Sequence, residues 1–151
     1  MRVLLVVPYG YNEPTSAAMQ LAEWLKNHGL DPVLLSITKP VGGVSRFWDS
    51  RVLPAKEAKS KFLKESGLVI WFKDVSLRLL ELFRAACVRQ VWLPSSASLR
   101  TSPFAANYMA AVVCCNSTIY QAARQLLGFK QALLQKLDWS TPLSPKLWVR
   151  Q

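Results

Sequence analysis

The sequence is poor in the residues on which several common functional sites depend. Its 151 residues include one histidine, six glycines and three cysteines, and aspartate and glutamate together number only nine. With His28 as the sole histidine, a histidine-dependent catalytic triad and a histidine-rich metal site are excluded. Cys87, Cys114 and Cys115 form no CxxC pair, so neither a disulfide framework nor a zinc site is expected, and no metal ligand is assigned.

Glycine-rich nucleotide motifs are missing as well. The first apolar run ends in the turn PYGYNEP, in which Gly10 stands alone. A GxGxxG turn needs its glycines because the backbone must approach the pyrophosphate closely. The pattern GxxxxGK[ST] does not occur either. A dinucleotide-binding domain of the NAD type and a P-loop nucleoside triphosphatase are therefore both rejected.

No apolar run approaches the length of a membrane-spanning helix. The N-terminal run is short, and no small-residue cleavage site follows it, so it is not a signal peptide either. Three cysteines without a pairing pattern suit a reducing compartment. The sequence therefore predicts a cytoplasmic chain, with peripheral attachment to a membrane as the alternative.

Positive charge is abundant. Lysine and arginine number 19, the net charge is +10 and the isoelectric point is about 9.9. This balance favours nucleic acid, an anionic membrane or a phosphorylated substrate, although charge that only aids solubility is the alternative. Residues 39–64 hold seven basic and two acidic residues around Phe47 and Trp48, a composition that suits a membrane surface or single-stranded nucleic acid, or equally a solvated helix face. The predicted anion or membrane contacts are Arg46, Arg51, Lys56, Lys59 and Lys64.

The first thirty residues predict a strand, a loop and a helix. Residues 3–7 are an unbroken apolar run, which is typical of a strand buried on both faces of a parallel sheet. Apolar residues then recur at i, i+3, i+4 and i+7 between residues 18 and 25, so one helix face packs on that sheet. Thr15 or Ser16 is expected to cap this helix and Gly29 to close it.

Strands and helices alternate along the rest of the chain. Further strands are predicted at residues 33–37, 68–72, 90–93 and 110–114. Helices are predicted at 55–65, between Pro54 and Gly67, and at 77–87, 119–127 and 129–139, with a serine-rich loop at 95–103 and one helical turn at 104–109. This alternation predicts an α/β fold: a Rossmann-like parallel sheet of about five strands with helices on both faces, in three α/β/α layers. We expect a single domain at residues 1–139 and an irregular tail at 140–151.

Ligands of such sheets bind beyond the carboxyl ends of the strands, so the loops that follow the strands form the candidate site. Glu13 and Asp74 lie on such loops, and either could act as a general base beside a sugar or other hydroxyl. The alternative is that each caps a helix or, for Asp74, pairs with Lys73. His28 lies at the opposite end of its helix, where a structural role at the helix C-terminus is expected. The predicted substrate-binding residues are Tyr9, Gly10, Asn12, Ser95, Asn116 and Ser117.

In this order, the chain resembles the N-terminal domain of GT-B glycosyltransferases, which transfer a sugar from a nucleotide-sugar. The family opening is a strand, a loop after a proline and a helix ending near GH-x-V; the counterpart here is RVLLVVPYGYNEPTSAAMQLAEWLKNHGLDPVLLS. A mid-domain strand corresponds to GLVIWFKD, and a late strand before a helix corresponds to YMAAVVCCNSTIYQAARQLLG. The resemblance covers most of the chain and rests on shared order more than on identity. The chain departs from the family in having Gly10 in place of a glycine pair and no histidine near residues 72–74.

The resemblance implies a function for half of an enzyme. The family's C-terminal domain carries the nucleotide-sugar site, and 151 residues leave no room for it. We therefore expect this chain to bind the acceptor, to hold no cofactor itself and to be inactive alone, with a second chain supplying the C-terminal domain and the donor site. The alternatives are a truncated remnant, or a non-catalytic module whose basic surface meets nucleic acid, an anionic membrane, a partner protein or a second copy of the chain.

Overall fold

All the strands that the structure describes belong to one parallel sheet. The computed structural model describes residues 1–8, 13–37, 52–54, 64–127 and 132–134. Its strands are β1 (Arg2–Val7), β2 (Asp31–Ser36), β3 (Val52–Pro54), β4 (Ser66–Phe72), β5 (Arg89–Leu93), β6 (Ala111–Cys114) and β7 (Ala132–Leu134). Its helices are α1 (Glu13–Asn27), α2 (Leu77–Ala85), α3 (Ser96–Thr101) and α4 (Ser117–Leu127), with a 3-10 helix (Pro103–Tyr108) before β6. The strands lie in the order β3-β2-β1-β4-β5-β6-β7, and every neighbouring pair is parallel.

The predicted three-layer α/β/α arrangement is confirmed. Side chains of β1 alternate between two buried clusters, with Val3 and Leu5 packed beside α1 and Leu4 and Val6 in the cluster that contains α2 and α4. All four are fully buried, as the unbroken apolar run predicted. Right-handed crossovers produce this division, because the chain runs one way from β1 to β2 and the other way from β4 to β5.

Helix α1 begins earlier than predicted but ends as predicted. Thr15 and Ser16 lie inside the helix, which starts at Glu13, so neither is its cap. At the other end Gly29 has φ +78°, and its N–H donates to the Lys26 carbonyl at 3.0 Å while the Leu30 N–H donates to the Leu25 carbonyl at 3.0 Å. These two bonds form a Schellman motif, in which the left-handed residue satisfies carbonyls that the helix leaves open.

His28 has the structural position that its place in the sequence predicted. Its Nδ1 lies 2.8 Å from the Trp24 carbonyl oxygen, and its ring stacks on the Trp24 ring at a centroid distance of 3.9 Å. The imidazole therefore lies against one of the open carbonyls at the C-terminus of α1, at the opposite end of the helix from the loop that follows β1.

Two short edge strands were not predicted. Residues 132–134 were expected inside a helix, but they form β7, in which Leu133 and Leu134 pair with Val113 and Cys114. The prediction was wrong because an Ala-Leu-Leu segment suits a helix equally well, and the open edge of β6 decides its conformation. The remainder of the predicted helix, and the tail at 140–151, lie outside the described residues, so the predicted domain boundary stays a prediction.

The other edge strand, β3, ends at Pro54, which pairs beside Ser36 of β2. Proline is tolerated there because an edge strand has one side without ladder hydrogen bonds. The predicted helix at 55–65 lies almost wholly outside the described residues. Gly67 does not end it, since Gly67 is the second residue of β4. The five longer strands, β1, β2, β4, β5 and β6, are all those that the apolar runs predicted.

The serine-rich segment after β5 is also more regular than predicted. Residues 96–101 form helix α3, and the predicted helical turn that follows is the 3-10 helix. The structure places Ser95 at the N-cap and Ser98 three residues later, and the two serines cap the helix reciprocally. The prediction of a loop over residues 95–103 was therefore wrong, because the serine-x-x-serine pattern at 95–98 starts a helix.

Candidate functional site

The centre of the sheet is the point at which the strand order reverses. Strand β1 lies between β2 and β4. Strands β2 and β3 follow on one side of β1, and β4 to β7 follow on the other side. Val6 pairs with Trp71, so β1 and β4 end side by side, at Val7 and Phe72. In open parallel sheets ligands bind in the crevice beyond the strand ends at this reversal. We take this edge, with the loops after β1 and β4, as the candidate site.

The loop after β4 has an unusual backbone. Lys73 has φ +61°, a left-handed conformation that residues with a side chain seldom adopt. Its N–H donates to the Leu93 carbonyl at 2.8 Å, and its own carbonyl accepts the Nε1–H of Trp92 at 2.8 Å. Sequence reasoning treated Lys73 only as an ion partner for Asp74, because no pattern of residue types indicates a left-handed lysine.

Asp74 follows directly and is exposed. It forms no hydrogen bond and no ion pair with the residues that the structure describes, which removes the alternative of a pair with Lys73. It does not cap helix α2 either, since the N-cap is Ser76, whose Oγ accepts the Leu79 N–H at 3.5 Å. The Asp74 carboxylate is therefore available to accept a hydrogen bond from a ligand at this edge.

The residues predicted around β1 are described only in part. Glu13 is the first residue of α1, so its backbone lies at the helix N-terminus, where a carboxylate is favoured by the helix dipole. Tyr9, Gly10 and Asn12 lie outside the described residues, and their binding roles stay predictions. Asp74 thus lies on the loop after β4, and Glu13 begins the helix that follows the neighbouring strand β1.

Three other predicted ligands lie along the same edge but further from its centre. Ser95 follows β5, and its Oγ accepts the Ser98 N–H at 3.1 Å while the Ser98 Oγ accepts the Ser95 N–H at 2.8 Å. Asn116 follows β6, and its Oδ1 accepts the Ile119 N–H at 2.9 Å. Ser117 is exposed in the first turn of α4. The side chains of Ser95 and Asn116 are engaged in capping helices, a role that serine and asparagine perform in many proteins without any ligand.

Of the predicted anion contacts, only one is described. Lys64 is exposed and precedes β4 by two residues, which places it at the amino edge of the sheet, opposite the candidate site. The others, Arg46, Arg51, Lys56 and Lys59, lie outside the described residues. Lys64 therefore lies apart from the switch point, whereas β3, which belongs to the same basic segment, ends at Pro54 beside Ser36, at the carboxyl edge.

The buried Cys114 is not an activated nucleophile. Burial raises the pKa of the Cys114 thiol from its ordinary value of 9.0 to about 11, and the neighbouring Cys115 thiol adds to the shift. A thiol with a raised pKa holds its proton and is a poor nucleophile. In the described part of the chain, no three histidine, cysteine, aspartate or glutamate side chains come together as metal ligands. None of the described helices combines the length and apolar character that crossing a bilayer requires.

No protein-family model and no curated protein matches the chain by sequence. Several solved structures match its fold. An α-glucosyltransferase in complex with UDP and a 13-mer DNA containing an HMU base matches with a TM-score of 0.58 at 13% identity, over 89% of this chain and 41% of that one. HepE of Anabaena, in complex with UDP and glucose, matches with a TM-score of 0.58 at 14% identity, over 89% and 43%.

The chain has a GT-B-like fold. An exopolyphosphatase-related protein of Bacteroides fragilis also matches, with a TM-score of 0.54 at 10% identity, over 84% of this chain and 40% of that one. At such low identity these similarities establish the fold alone. The chain spans about two fifths of the length of each of these proteins.

Proposed function

We propose that this chain is the acceptor-binding half of a GT-B-type glycosyltransferase and that a second chain supplies the nucleotide-sugar site. The observation that carries the proposal is Asp74, an exposed carboxylate without a described partner, on the loop after β4 at the reversal of strand order. The GT-B-like fold supports the reaction class.

In this proposal Asp74 acts as the general base. An acceptor hydroxyl at the switch point donates a hydrogen bond to the Asp74 carboxylate, which takes the proton as the hydroxyl oxygen attacks the sugar's anomeric carbon. The bond between that carbon and the nucleotide diphosphate breaks, and the diphosphate leaves on the partner's side. Glu13, the first residue of α1 after the neighbouring strand β1, is the second candidate for the same role.

The donor in this proposal is a nucleotide-sugar that the partner holds. The chain contains neither of the glycine-rich phosphate motifs, and we assign it no cofactor of its own. UDP is present in the α-glucosyltransferase structure and in the HepE structure that match the fold, which supports a nucleotide-sugar as the donor class. The cysteines that the structure describes are all free, which supports the cytoplasmic location that we propose.

A second candidate is a non-catalytic module that binds a polyanion. The net charge of +10 is the observation that favours it, and one matching enzyme is solved on DNA. In this version the basic segment at 39–64 contacts nucleic acid or an anionic membrane, and the switch point has no catalytic role.

Purification of the tagged full chain from its native cell tests the enzyme proposal. We expect a copurifying chain with a GT-B C-terminal domain, and transfer of labelled sugar from a nucleotide-sugar panel only when both chains are present. Asp74→Asn should lower kcat about 100-fold or more, because it removes the base. Asp31→Asn is the matched control: Asp31 is exposed at the amino edge of β2, 3.5 Å from the Arg2 Nε.

If only a second copy of this chain copurifies, and no sugar is transferred to any acceptor, the enzyme proposal is wrong. If transfer occurs but Asp74→Asn and Asp31→Asn behave alike, the reaction class stands and the base has been misassigned. Glu13→Gln would then be examined in the same assay.

A further inference from the structure

The left-handed backbone at Lys73 differs in kind from the others that the described residues contain. Gly29 (φ +78°) and Cys87 (φ +56°) both follow helices, and both N–H groups bond back to helix carbonyls in Schellman motifs. Lys73 follows a strand and ends no helix. Its conformation is therefore not explained by helix termination, and it occurs at the sheet edge where the candidate base lies.

Two hydrogen bonds from β5 hold this conformation. The Leu93 carbonyl accepts the Lys73 N–H at 2.8 Å, which extends the β4–β5 ladder by one residue. The Trp92 Nε1–H donates to the Lys73 carbonyl at 2.8 Å from a side chain that is fully buried. A buried indole N–H needs a partner, and here it fixes the direction of the peptide that joins Lys73 to Asp74.

We propose that Trp92 is the positioning residue of the site: its indole N–H holds the Lys73–Asp74 peptide and so fixes Asp74 at the switch point before a ligand binds. The role of Asp74 as the base rests on the proposed function, whereas the control of the turn by Trp92 does not. Backbone strain of this kind persists only where the surroundings determine it, and it is concentrated at functional sites. Trp92 acts through Lys73 and Asp74 and touches no reacting atom in this proposal.

The chain contains a matched control for the indole. Trp71 pairs with Trp92 across β4 and β5, is equally buried, and donates its Nε1–H at 2.8 Å to the Gln90 side-chain Oε1 instead of to a backbone carbonyl. Trp92→Phe and Trp71→Phe therefore remove the same group from neighbouring sites in one cluster. Only the first of them touches the peptide that leads to Asp74.

The conformation of the turn is measured by NMR on the full chain. Positive φ at Lys73 gives a strong nuclear Overhauser effect between its own Hα and amide protons. We expect this signal in wild type and in Trp71→Phe, and its loss in Trp92→Phe. Adding Lys73→Gly to Trp92→Phe should favour the turn again, because glycine adopts positive φ without a side-chain penalty, and here recovery of activity is the measurement.

Sugar transfer by the reconstituted pair gives the second measurement. Trp92→Phe should lower kcat/KM for the acceptor about tenfold or more, since a small displacement of a catalytic group is sufficient for that loss. Trp71→Phe should stay within about twofold of wild type, and the double variant with Lys73→Gly should recover most of the activity.

Two results would overturn the proposal: an unchanged Lys73 signal in Trp92→Phe, or an equal disturbance of the turn in Trp71→Phe. Should wild type transfer no sugar with any partner, the proposed function fails, and the NMR comparison still decides whether Trp92 controls the turn. An altered turn with unchanged kcat/KM would show that the hydrogen bond from Trp92 to Lys73 is structural only, and it would contradict the positioning role.

Discussion

At the scale of single residues, two helix ends with the same geometry carry different residues. Gly29 and Cys87 each occupy the left-handed position of a Schellman motif, with φ +78° and +56°. The N–H of Leu30 bonds to Leu25 in the first, and the N–H of Val88 bonds to Phe83 in the second. Because the motifs match, the difference between a glycine and a side chain at this position can be measured within one molecule.

We expect Cys87→Gly to raise the free energy of unfolding by about 1 kcal/mol, because it removes the clash of a Cβ with the following carbonyl. Gly29→Ala should lower it by a similar amount. A Cβ at Gly29 would meet nothing within 4 Å, so that loss would report backbone strain alone. Urea denaturation measures both, and Cys87→Ala controls for loss of the thiol. A Cys87→Gly variant less stable than Cys87→Ala would contradict the prediction.

Cys114 predicts a pH dependence of stability. Burial raises the pKa of its thiol to about 11 in the folded chain, against 9.0 ordinarily. Above about pH 9 the unfolded chain loses this proton while the folded chain keeps it, so stability falls with pH until the folded thiol also titrates near pH 11. The total loss is roughly 3 kcal/mol, since each pKa unit corresponds to about 1.4 kcal/mol.

The contribution of Cys114 appears as a difference between variants, since other groups titrate in the same range. The free energies of unfolding of wild type and Cys114→Ala should differ by a constant amount below pH 9. This difference should become smaller between pH 9 and 11, because only wild type loses the contribution of the thiol. A difference that is constant over the whole range would mean that the Cys114 thiol is not shielded.

At the scale of elements, two of the predicted substrate-binding residues, Ser95 after β5 and Asn116 after β6, cap helices. We expect Ser95→Ala and Asn116→Ala each to lower the free energy of unfolding by about 1 kcal/mol, since each removes a side-chain acceptor for a helix N–H. Asn116→Asp should retain stability, because aspartate caps equally well. Ser117→Ala, at an exposed position, is the control.

These variants also separate capping from ligand binding. If Ser95 or Asn116 were held in place only by a substrate, its alanine variant would keep wild-type stability and lose acceptor affinity. Thermal denaturation together with acceptor titration of the reconstituted pair distinguishes the two roles.

The elements that could be predicted are those whose own residue types indicate burial. An unbroken apolar run such as residues 68–72 can hardly be other than a central strand. The three-residue strands β3 and β7 carry no such indication, because pairing with β2 and β6 decides their conformation. The sheet edge of the site followed from the strand order, whereas the left-handed Lys73 and its bond from Trp92 depend on a contact between residues 19 apart.

The same limit applies to the roles of individual site residues. Serine and asparagine after a strand suit both a ligand and a helix cap, and only the hydrogen bonds of Ser95 and Asn116 distinguish the two. Asp74 is the opposite case. Its type and position predicted a candidate base; the structure shows it exposed and without a described partner, and its role as a base stays a prediction.

At the scale of the whole molecule, the net charge of +10 predicts how any polyanion would bind. If nucleic acid is a partner, its affinity should fall about tenfold between about 50 and 200 mM salt even if only two phosphates are contacted. A titration of labelled single-stranded DNA, RNA and anionic vesicles over this range measures the slope.

Charge-removing variants locate the surface. The triple variant of Lys56, Lys59 and Lys64 to glutamine should reduce the slope. The matched triple variant of Lys26, Arg78 and Arg89, which are exposed and lie outside residues 39–64, should reduce it less. Binding that does not respond to salt, or no binding to any of the three probes, would exclude the polyanion-binding alternative.

The central place of β1 also has a consequence during synthesis. Strand β1 is synthesised before β4 and needs β4, at residues 66–72, to cover its second edge. A nascent chain that stops before residue 66 therefore carries Val3–Val7 with one side of its backbone unpaired, and an exposed apolar edge of this kind invites aggregation. A translation pause or premature termination between β1 and β4 should thus favour aggregation of the nascent chain.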